Sequence, residues 1–440
     1  MAPPNIVLIT VDSLRADRVG VYRGRSEPSL TPNLDRLAAQ AVVMERCHSQ
    51  GPFTAFSMPS LFTGLYPCHL RRMVAGLRTG GEHQAGRVVT GTLTLTDRLH
   101  AAGYRTGGFH SNPLLSRVFG FNAGFDAFFD DVLIAGPAAS RRVQLLLRVQ
   151  RVLQVNPFLG CRPLNRRAIA WLEGVRQPFF LWVHYMDAHG PYLSRKLLRG
   201  VSPHERLWSR SWQFPGTITP PEREKLMANY ARQIRLVDAA IARLFDAIGG
   251  RGLLDNTAWV ITADHGDEFF EHGGYSHRHK LYRELTHVPM LVSVPGVPPG
   301  RHAGLSSLLQ VTPTLLDVAG VPAPGLDAPS LLPALRGRPD PDAAVVSEVG
   351  VEPHETLAVR RGDWSLIWKP EADAVQLFHL PSDPEEKRDV AAQYPAEEAA
   401  LLALLRQHLG EFTTGAADAA PLSESDEQLV EQRLRDLGYI

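Results

Sequence analysis

Three short runs of apolar or β-branched residues, each followed by a polar cluster, constrain this 440-residue chain more than any other feature. Ile6-Val7-Leu8-Ile9-Thr10-Val11 stops at Asp12-Ser13, and Phe179-Phe180-Leu181-Trp182-Val183 stops at His184-Tyr185-Met186-Asp187-Ala188-His189. Ala258-Trp259-Val260-Ile261-Thr262 leads into Asp264-His265-Gly266-Asp267. Runs this short, apolar or β-branched without alternation, fit strands buried on both faces. Helical patterns lie between them. Thr31-Pro32-Asn33 opens a helix to about Gln40 with Pro32 in its first turn, and Leu93 to Ala102 is amphipathic and stopped by Gly103. Leu226, Tyr230, Ile234, Val237, Ile241 and Leu244 mark one face of a helix from Glu222 to Ile248, before Gly249-Gly250. Strands alternating with helices imply βαβ units and a mostly parallel sheet covered on both faces. Polar ligands bind such sheets beyond the carboxyl ends of the strands, where all three clusters fall.

A turn-rich linker, Gly337-Arg338-Pro339-Asp340-Pro341-Asp342, divides the chain into 1–337 and 338–440. Beyond it, Ala344–Ser347, Thr356–Arg360, Ser365–Trp368 and Val375–His379 read as a small antiparallel sheet, followed by a helix from about Ala396 to Leu409. Gly415–Asp418 reads as a joint before a last helix, Asp426 to Leu437. Lys plus Arg and Asp plus Glu both number 46, which removes a global electrostatic case for nucleic acid as partner. Cys47, Cys68 and Cys161 are too few and scattered for a disulfide framework, and suit a reducing compartment. No apolar stretch approaches the ~18 residues of a membrane span. The expectation is a soluble cytoplasmic protein.

One carboxylate past a parallel strand is usually a loop cap or an ion-pair partner. Three clusters on one sheet edge are harder to explain that way. Asp12, Asp264 and His265 offer mixed oxygen and nitrogen donors, suited to Mn, Zn, Mg or Ca and lacking the thiolates of structural zinc. A nucleophile has to lie nearby. Between Gln50 and Gly64, the hydroxyls of Thr54, Ser57 and Ser60 stand before a predicted helix, as nucleophiles or as N-caps. A helix N-terminus there would also favour an anionic group.

With these pieces in order, the chain resembles the sulfatase family within the alkaline-phosphatase-like superfamily, over nearly its whole length. The resemblance rests on Asn5–Asp12, Thr31-Pro32-Asn33-Leu34-Asp35-Arg36-Leu37, Ser60-Leu61-Phe62-Thr63-Gly64-Leu65-Tyr66-Pro67 and Gly103-Tyr104-Arg105-Thr106. It continues through Thr262–Asp267, Pro313-Thr314-Leu315-Leu316-Asp317-Val318-Ala319-Gly320, Leu377-Phe378-His379-Leu380 with Asp383-Pro384-Glu385, and Leu437-Gly438-Tyr439-Ile440. It implies an α/β fold with a large mixed, mostly parallel sheet sandwiched by helices, and a small C-terminal antiparallel sheet plus helix. It also implies one tight divalent metal beside a nucleophile that is usually formylglycine, made from the Cys or Ser of a Cys/Ser-x-Pro-x-Arg motif.

At the corresponding position, ten residues before Gly64, stands Thr54 in Thr54-Ala55-Phe56-Ser57-Met58, without the Pro or the Arg. Threonine cannot become formylglycine. An unmodified threonine resembles the phosphoryl-handling relatives, the phosphodiesterases and the phosphoethanolamine and phosphoglycerol transferases, in which the hydroxyl both binds the metal and attacks phosphorus. The implied metal set is Asp12, Thr54, Asp264 and His265, and Asp264-His265 strengthens this variant, since formylglycine sulfatases more often carry Asp-Asn there. Ser13 replaces a common second Asp.

Matching histidines in the transferases bind substrate phosphate or a second zinc, which gives His189 and His277 catalytic roles and His184 a substrate contact. Asn112 either bonds an ester oxygen or shapes a turn. Arg278 and Lys280 are anion clamps in this reading. Residues 141–176 carry eight arginines against Glu173 alone, which suits a surface helix, a lid over an anionic substrate, or contact with anionic lipid headgroups. The expected substrate is a small anionic ester, cleaved by hydrolysis or group transfer.

Overall fold

The computed structural model of the protein describes residues 3–23, 28–73, 77–79, 83–85, 92–130, 160–190, 192, 203–350 and 355–410. The joint at 415–418, the last helix, the 437–440 motif and most of the arginine-rich stretch, 141–159, lie outside the described residues.

In chain order the strands are β1 (Asn5–Val11), β2 (Val42–His48), a short pair β3 (Leu77–Thr79) and β4 (His83–Ala85), β5 (Arg105–Phe109), β6 (Ala127–Phe129), β7 (Phe179–Tyr185) and β8 (Thr257–Ala263). A second short pair, β9 (Glu268–Phe269) and β10 (Tyr275–Ser276), precedes β11 (Met290–Ser293) and β12 (Gly300–Ser307). The described main sheet has eight strands in the order β12-β2-β11-β8-β1-β7-β5-β6. Only β11 runs against its neighbours. All of β1, β7 and β8 is buried, as expected for apolar runs covered on both faces. The parallel register sets Thr10 beside both His184 and Thr262, and Val11 beside Tyr185 and Ala263. Asp12 and Asp264 therefore emerge side by side.

The 30-residue helix Pro220–Gly249 buries the expected face, including Leu226, Tyr230, Ile234, Val237, Ile241 and Leu244. Thr219 and Glu222 close a capping box at its start. The helix Pro32–Ala38 is capped from a distance. Asp238 of the long helix accepts the backbone N–H groups of Asn33 (3.2 Å) and Leu34 (2.8 Å), and the Thr31 side chain makes no cap bond.

Two expectations are corrected at the site edge. His184 and Tyr185 belong to β7 itself, because the parallel ladder with β1 runs on through them, pairing His184 with Thr10 and Tyr185 with Val11. Thr54, Ser57 and Ser60 lie inside the helix Thr54–Thr63 and not ahead of it, with Phe53 as its N-cap residue.

Beyond Gly337 the four strands β13 (Ala344–Val349), β14 (Thr356–Arg361), β15 (Trp364–Lys369) and β16 (Ala374–His379) pair antiparallel in sequence order. Leu401, Leu402 and Leu405 of the helix Pro395–Gly410 pack on Leu357, Val359, Leu366 and Leu377. This sheet leans on the main body through Ser347, whose hydroxyl donates to the Ser49 carbonyl (2.6 Å), and through the Glu348 N–H, which donates to the Gln50 carbonyl (2.8 Å).

Candidate active site

Asp12 is held at the end of β1, where its N–H donates to the Tyr185 carbonyl (2.8 Å). The chain then turns sharply through Ser13, at φ +58°. Few non-glycine residues adopt that conformation, and it persists only where neighbours fix it. Here the Tyr230 hydroxyl donates to the Ser13 carbonyl (2.6 Å), and the Ser13 N–H donates to Asp264 Oδ1 (3.1 Å). His265 N–H donates to the same oxygen (2.9 Å). Gly266 follows because a Cβ there would meet the Glu284 carbonyl at 2.1 Å.

Thr54 arrives from the far side of the sequence as the first residue of its helix. Its Oγ1 lies 2.8 Å from Asp264 Oδ2, 3.4 Å from Asp12 Oδ2 and 3.4 Å from Asn112 Nδ2. Asn112 donates to Asp12 Oδ2 (2.8 Å), and its own Oδ1 accepts the Leu114 N–H (2.9 Å), so one side chain both shapes the turn and reaches the site. Ser57 and Ser60 point elsewhere. Their hydroxyls donate to the carbonyls of Phe53 (2.9 Å) and Phe56 (3.0 Å) within the helix.

His184 takes a supporting place and not the expected substrate contact. It is fully buried, with Nδ1 2.9 Å from Thr10 Oγ1 and Nε2 3.4 Å from Asp12 Oδ2. Asp12 can only accept, so the ring proton lies on Nε2 and Nδ1 accepts the Thr10 hydroxyl, whose oxygen in turn accepts from Trp182 Nε1–H (3.0 Å).

The donor set fits a cation on one observation above all. His265 Nδ1 faces the Gly266 carbonyl (2.9 Å), which can only accept, so this nitrogen carries the proton. Nε2 then faces Asp12 Oδ1 (3.7 Å) and Asp264 Oδ2 (3.6 Å), with no hydrogen-bond partner among the described residues. A nitrogen lone pair and two carboxylates, all buried, repel one another unless positive charge lies between them. Oxygen and imidazole donors without thiolate suit a hard or borderline divalent ion. Burial would raise the Asp12 carboxyl, but the imidazoles of His189, His184 and His265 hold it well below the usual carboxylate range. Burial and the Asp12 charge push Asp264 upward. Burial opposes protonation of His265, yet Asp264 and Asp12 raise it. The cluster thus seeks one shared positive charge.

His189 and His277 stand next to this centre. The ring centroid of His277 lies 4.6 Å from that of His265 and 5.0 Å from that of His189. Burial pushes His277 down to about 4, so the ring is neutral near pH 7. Its Nδ1–H donates to Asp267 Oδ1 (2.8 Å), which aims the Nε2 lone pair away from that carboxylate. Asp267 also accepts from the Tyr192 hydroxyl (2.7 Å). His265, Asp267 and His277 have ligand atoms within 4.8 Å of one another, a second grouping that could hold a metal. Asp267 was legible only as part of the run Asp264-His265-Gly266-Asp267; its bond to His277 is a tertiary fact.

Other expected residues lie in different roles. Lys280 Nζ donates to Glu268 Oε2 (2.8 Å) and to the His272 carbonyl (2.8 Å), which commits its charge away from an anion. Arg278 lies over the Trp212 ring, 4.9 Å from its centroid. Asp187 is a helix cap: its Oδ2 accepts the Cys161 N–H (2.9 Å), and burial pushes it up to about 6. Of the arginine-rich stretch, the described part forms the helix Cys161–Gly174, which buries Leu164, Ala168 and Leu172. Among the described residues no helix is long and apolar enough to cross a membrane.

The chain is similar to known proteins in sequence and in fold. Over 99% of its length the chain is 24% identical to a choline-sulfatase of Rhizobium meliloti (strain 1021), covering 92% of that protein. Over 92% of its length it is 25% identical to arylsulfatase K of Bos taurus, covering 81% of that protein. In fold it is similar to a 2-O GAG sulfatase, with a TM-score of 0.74, 21% identity and coverage of 93% of this chain and 92% of that one. It is also similar to the phosphonate monoester hydrolase of Agrobacterium radiobacter, with a TM-score of 0.70, 18% identity and coverage of 93% and 96%. The Sulfatase family model matches residues 4–321, which include every residue of the Asp12–Thr54–Asp264–His265 centre. Relatives in this family are metal-dependent hydrolases of sulfate or phosphonate esters. With its mostly parallel sheet, its small four-stranded C-terminal sheet and this match, the chain belongs to the sulfatase family of the alkaline-phosphatase-like superfamily, and it is an enzyme of the ester-hydrolase class.

Proposed function

We propose that the protein is a metal-dependent hydrolase of phosphoesters, mono- or diesters, with Thr54 as nucleophile and Asp12, Asp264 and His265 completing the metal set. The observation that carries this reading is the placement of an unmodified threonine hydroxyl 2.8 Å from Asp264 Oδ2, at the first residue of a helix. A divalent ion held there would lower the pKa of the Thr54 hydroxyl and polarise the ester. Asp264 Oδ2 accepts the hydroxyl hydrogen and keeps Oγ1 turned toward the donors. Attack by Oγ1 on phosphorus, with its hydrogen passing to Asp264 Oδ2, forms the Oγ–P bond as the ester P–O bond breaks, and the leaving oxygen takes a proton supplied through His189, while the neutral His277 ring can only accept one. Water then attacks phosphorus, giving up a proton and restoring the Thr54 hydroxyl. Asn112 Nδ2 holds Asp12 and Thr54 in register through both steps. Arg278, next to His277 in the chain, keeps the anion-clamp role in this reading.

A second reading, cleavage of a sulfate ester without formylglycine, is favoured by the names of the curated relatives, which are sulfatases. In both readings the acceptor is water or an alcohol. The complete donor set argues against a binding protein that only keeps the fold. Assays on p-nitrophenyl phosphate, bis-p-nitrophenyl phosphate and p-nitrophenyl sulfate separate the readings. Phosphate-ester turnover together with a phosphorylated Thr54 peptide after acid quench supports the proposal, and turnover of the sulfate ester alone overturns it.

A further inference from the structure

A second cluster of metal-type donors lies where the C-terminal sheet meets the main body. Cys68 sits on the helix Pro67–Met73, Glu348 on β13 and His408 in the last turn of the helix Pro395–Gly410. His408 Nε2 lies 2.9 Å from Glu348 Oε1 and 3.6 Å from Cys68 Sγ, and the three ligand atoms are all within 4.8 Å of one another. Glu348 is only 1% exposed, and Cys68 and His408 are 8% exposed each. The edge of the His408 ring meets Tyr66, with centroids 4.6 Å apart at 80°, which fixes its orientation.

Two physical arguments narrow what this cluster does. A thiol–imidazole–carboxylate relay uses both ring nitrogens, one on the sulfur and one on the carboxylate. Here the same nitrogen, Nε2, faces both groups, so the three converge on one point instead of forming a chain. Secondly, a buried thiol, imidazole and carboxylate whose donor atoms converge within 4.8 Å make the mixed sulfur, nitrogen and oxygen set that suits a transition-metal ion. Separations of about 3 to 4 Å between donors are those of a tetrahedral site with metal–nitrogen, –oxygen and –sulfur bonds of about 2.0 to 2.3 Å.

We infer that Cys68, Glu348 and His408 form a structural site for a zinc-class divalent cation, separate from the catalytic centre. Sulfur among its donors distinguishes it from the Asp12–Asp264–His265 group, which is built from oxygen and nitrogen alone. The partial exposure of Cys68 and His408 admits a water at the fourth position. Ligation would join three segments that meet only in the tertiary fold. It would also brace the stretch before the nucleophile, because the Glu348 N–H bonds the Gln50 carbonyl (2.8 Å), four residues ahead of Thr54. The role is to hold the C-terminal sheet and helix against that stretch, and it stands whether the ester cleaved is a phosphate or a sulfate.

Cobalt provides the test, because a thiolate on Co²⁺ gives a near-ultraviolet charge-transfer band that oxygen and imidazole donors do not. Full-length metal-free protein, kept reduced, is titrated with Co²⁺ and read by absorption, and its melting temperature is compared with and without Zn²⁺. The expected band appears in wild type, persists in Cys47→Ser and Cys161→Ser, and is lost in Cys68→Ser, which keeps turnover within about twofold. Zn²⁺ should raise the melting temperature of wild type more than that of Cys68→Ser or His408→Gln, since only wild type gains this binding free energy on folding. Absence of the band in saturated wild type overturns the proposal, as does a band that survives Cys68→Ser. Should Cys68→Ser fail to fold, the wild-type spectrum and His408→Gln decide it, a band unchanged by that substitution counting against the site.

Discussion

Thr54 Oγ1 and Asp264 Oδ2 lie 2.8 Å apart although 210 positions separate them in the chain. The contact joins a helix N-terminus to the end of a buried parallel strand, and the proposed chemistry depends on it. Thr54→Ala should lower turnover by at least about a thousandfold, since no other hydroxyl of that helix faces the site. Thr54→Ser should retain a large share of the rate. Mass spectrometry of the wild-type peptide should show unmodified threonine. A mass change at Thr54 in resting enzyme, or an Ala variant of near-normal rate, would refute the assignment.

Asp264→Ala should remove metal and activity together. Loss of one carboxylate leaves Asp12 and His265 without the shared charge balance that makes the cluster a cation site. Outer partners alone are worth about 10- to 100-fold in metal affinity, so loss of a direct ligand should exceed that. Elemental analysis after dialysis, with rates on the same samples, checks it, and a variant with full metal and full rate would contradict it.

The line Trp182–Thr10–His184–Asp12 makes a separate prediction. Thr10→Val removes the hydroxyl that fixes the His184 tautomer but leaves every proposed ligand in place. Metal affinity should fall by about 10- to 100-fold, the scale of outer-partner losses. Saturating metal should recover most of the rate, whereas a loss that metal cannot recover would show that Thr10 acts otherwise.

For His189→Ala the expected result is a protein that folds and keeps the Asp264-linked metal, but turns over about a hundredfold more slowly. His277 is less clean, because its removal strips a buried partner from Asp267. His277→Gln should therefore be melted alongside. A large drop in melting temperature with a near-normal rate for His189→Ala would mark that residue as structural.

Away from the site, His272 sets a pH dependence of stability. Burial opposes its charge, but its bond to Glu284 Oε1 (2.6 Å) and the Glu386 carbonyl at 2.9 Å raise its pKa above 6.5. The folded state thus holds the proton more tightly than the unfolded chain. The stabilisation is fully present below 6.5 and is lost as pH rises through the folded value. Melting temperature should fall over that alkaline-going window, and His272→Gln should flatten that part of the profile.

The strands and helices were legible because their burial patterns are local. β1, β7 and β8 show as apolar runs, the helix Pro220–Gly249 as a 3.6-residue stripe, and the C-terminal strands lie within two residues of their expected ends. The motif Asp264-His265-Gly266-Asp267 announced a polar end to a strand, and Thr54 stood out by its place ten residues before Gly64, where the resembling family carries Cys or Ser. What spacing cannot carry is direction. Ser57 and Thr54 are three residues apart on one helix, yet one hydroxyl bonds its own backbone and the other reaches Asp264. Asp187 and Asp12 both follow apolar strands, yet one caps a helix and the other enters the centre.

The sequence by itself determined the alternation of buried strands and amphipathic helices, and with it a mostly parallel sheet with polar strand ends on one edge. It also determined that a threonine stands ten residues before Gly64, at the position proposed here for the nucleophile. The tertiary structure alone decided which of those polar ends meet. The parallel register brings Asp12 beside Asp264, the helix Thr54–Thr63 delivers one hydroxyl to them, and folding back of the C-terminal sheet brings Glu348 and His408 to Cys68. The physical reason is that local periodicity records only which face of an element is buried. The partner across that face is set by strand register and helix packing, between residues up to 340 positions apart.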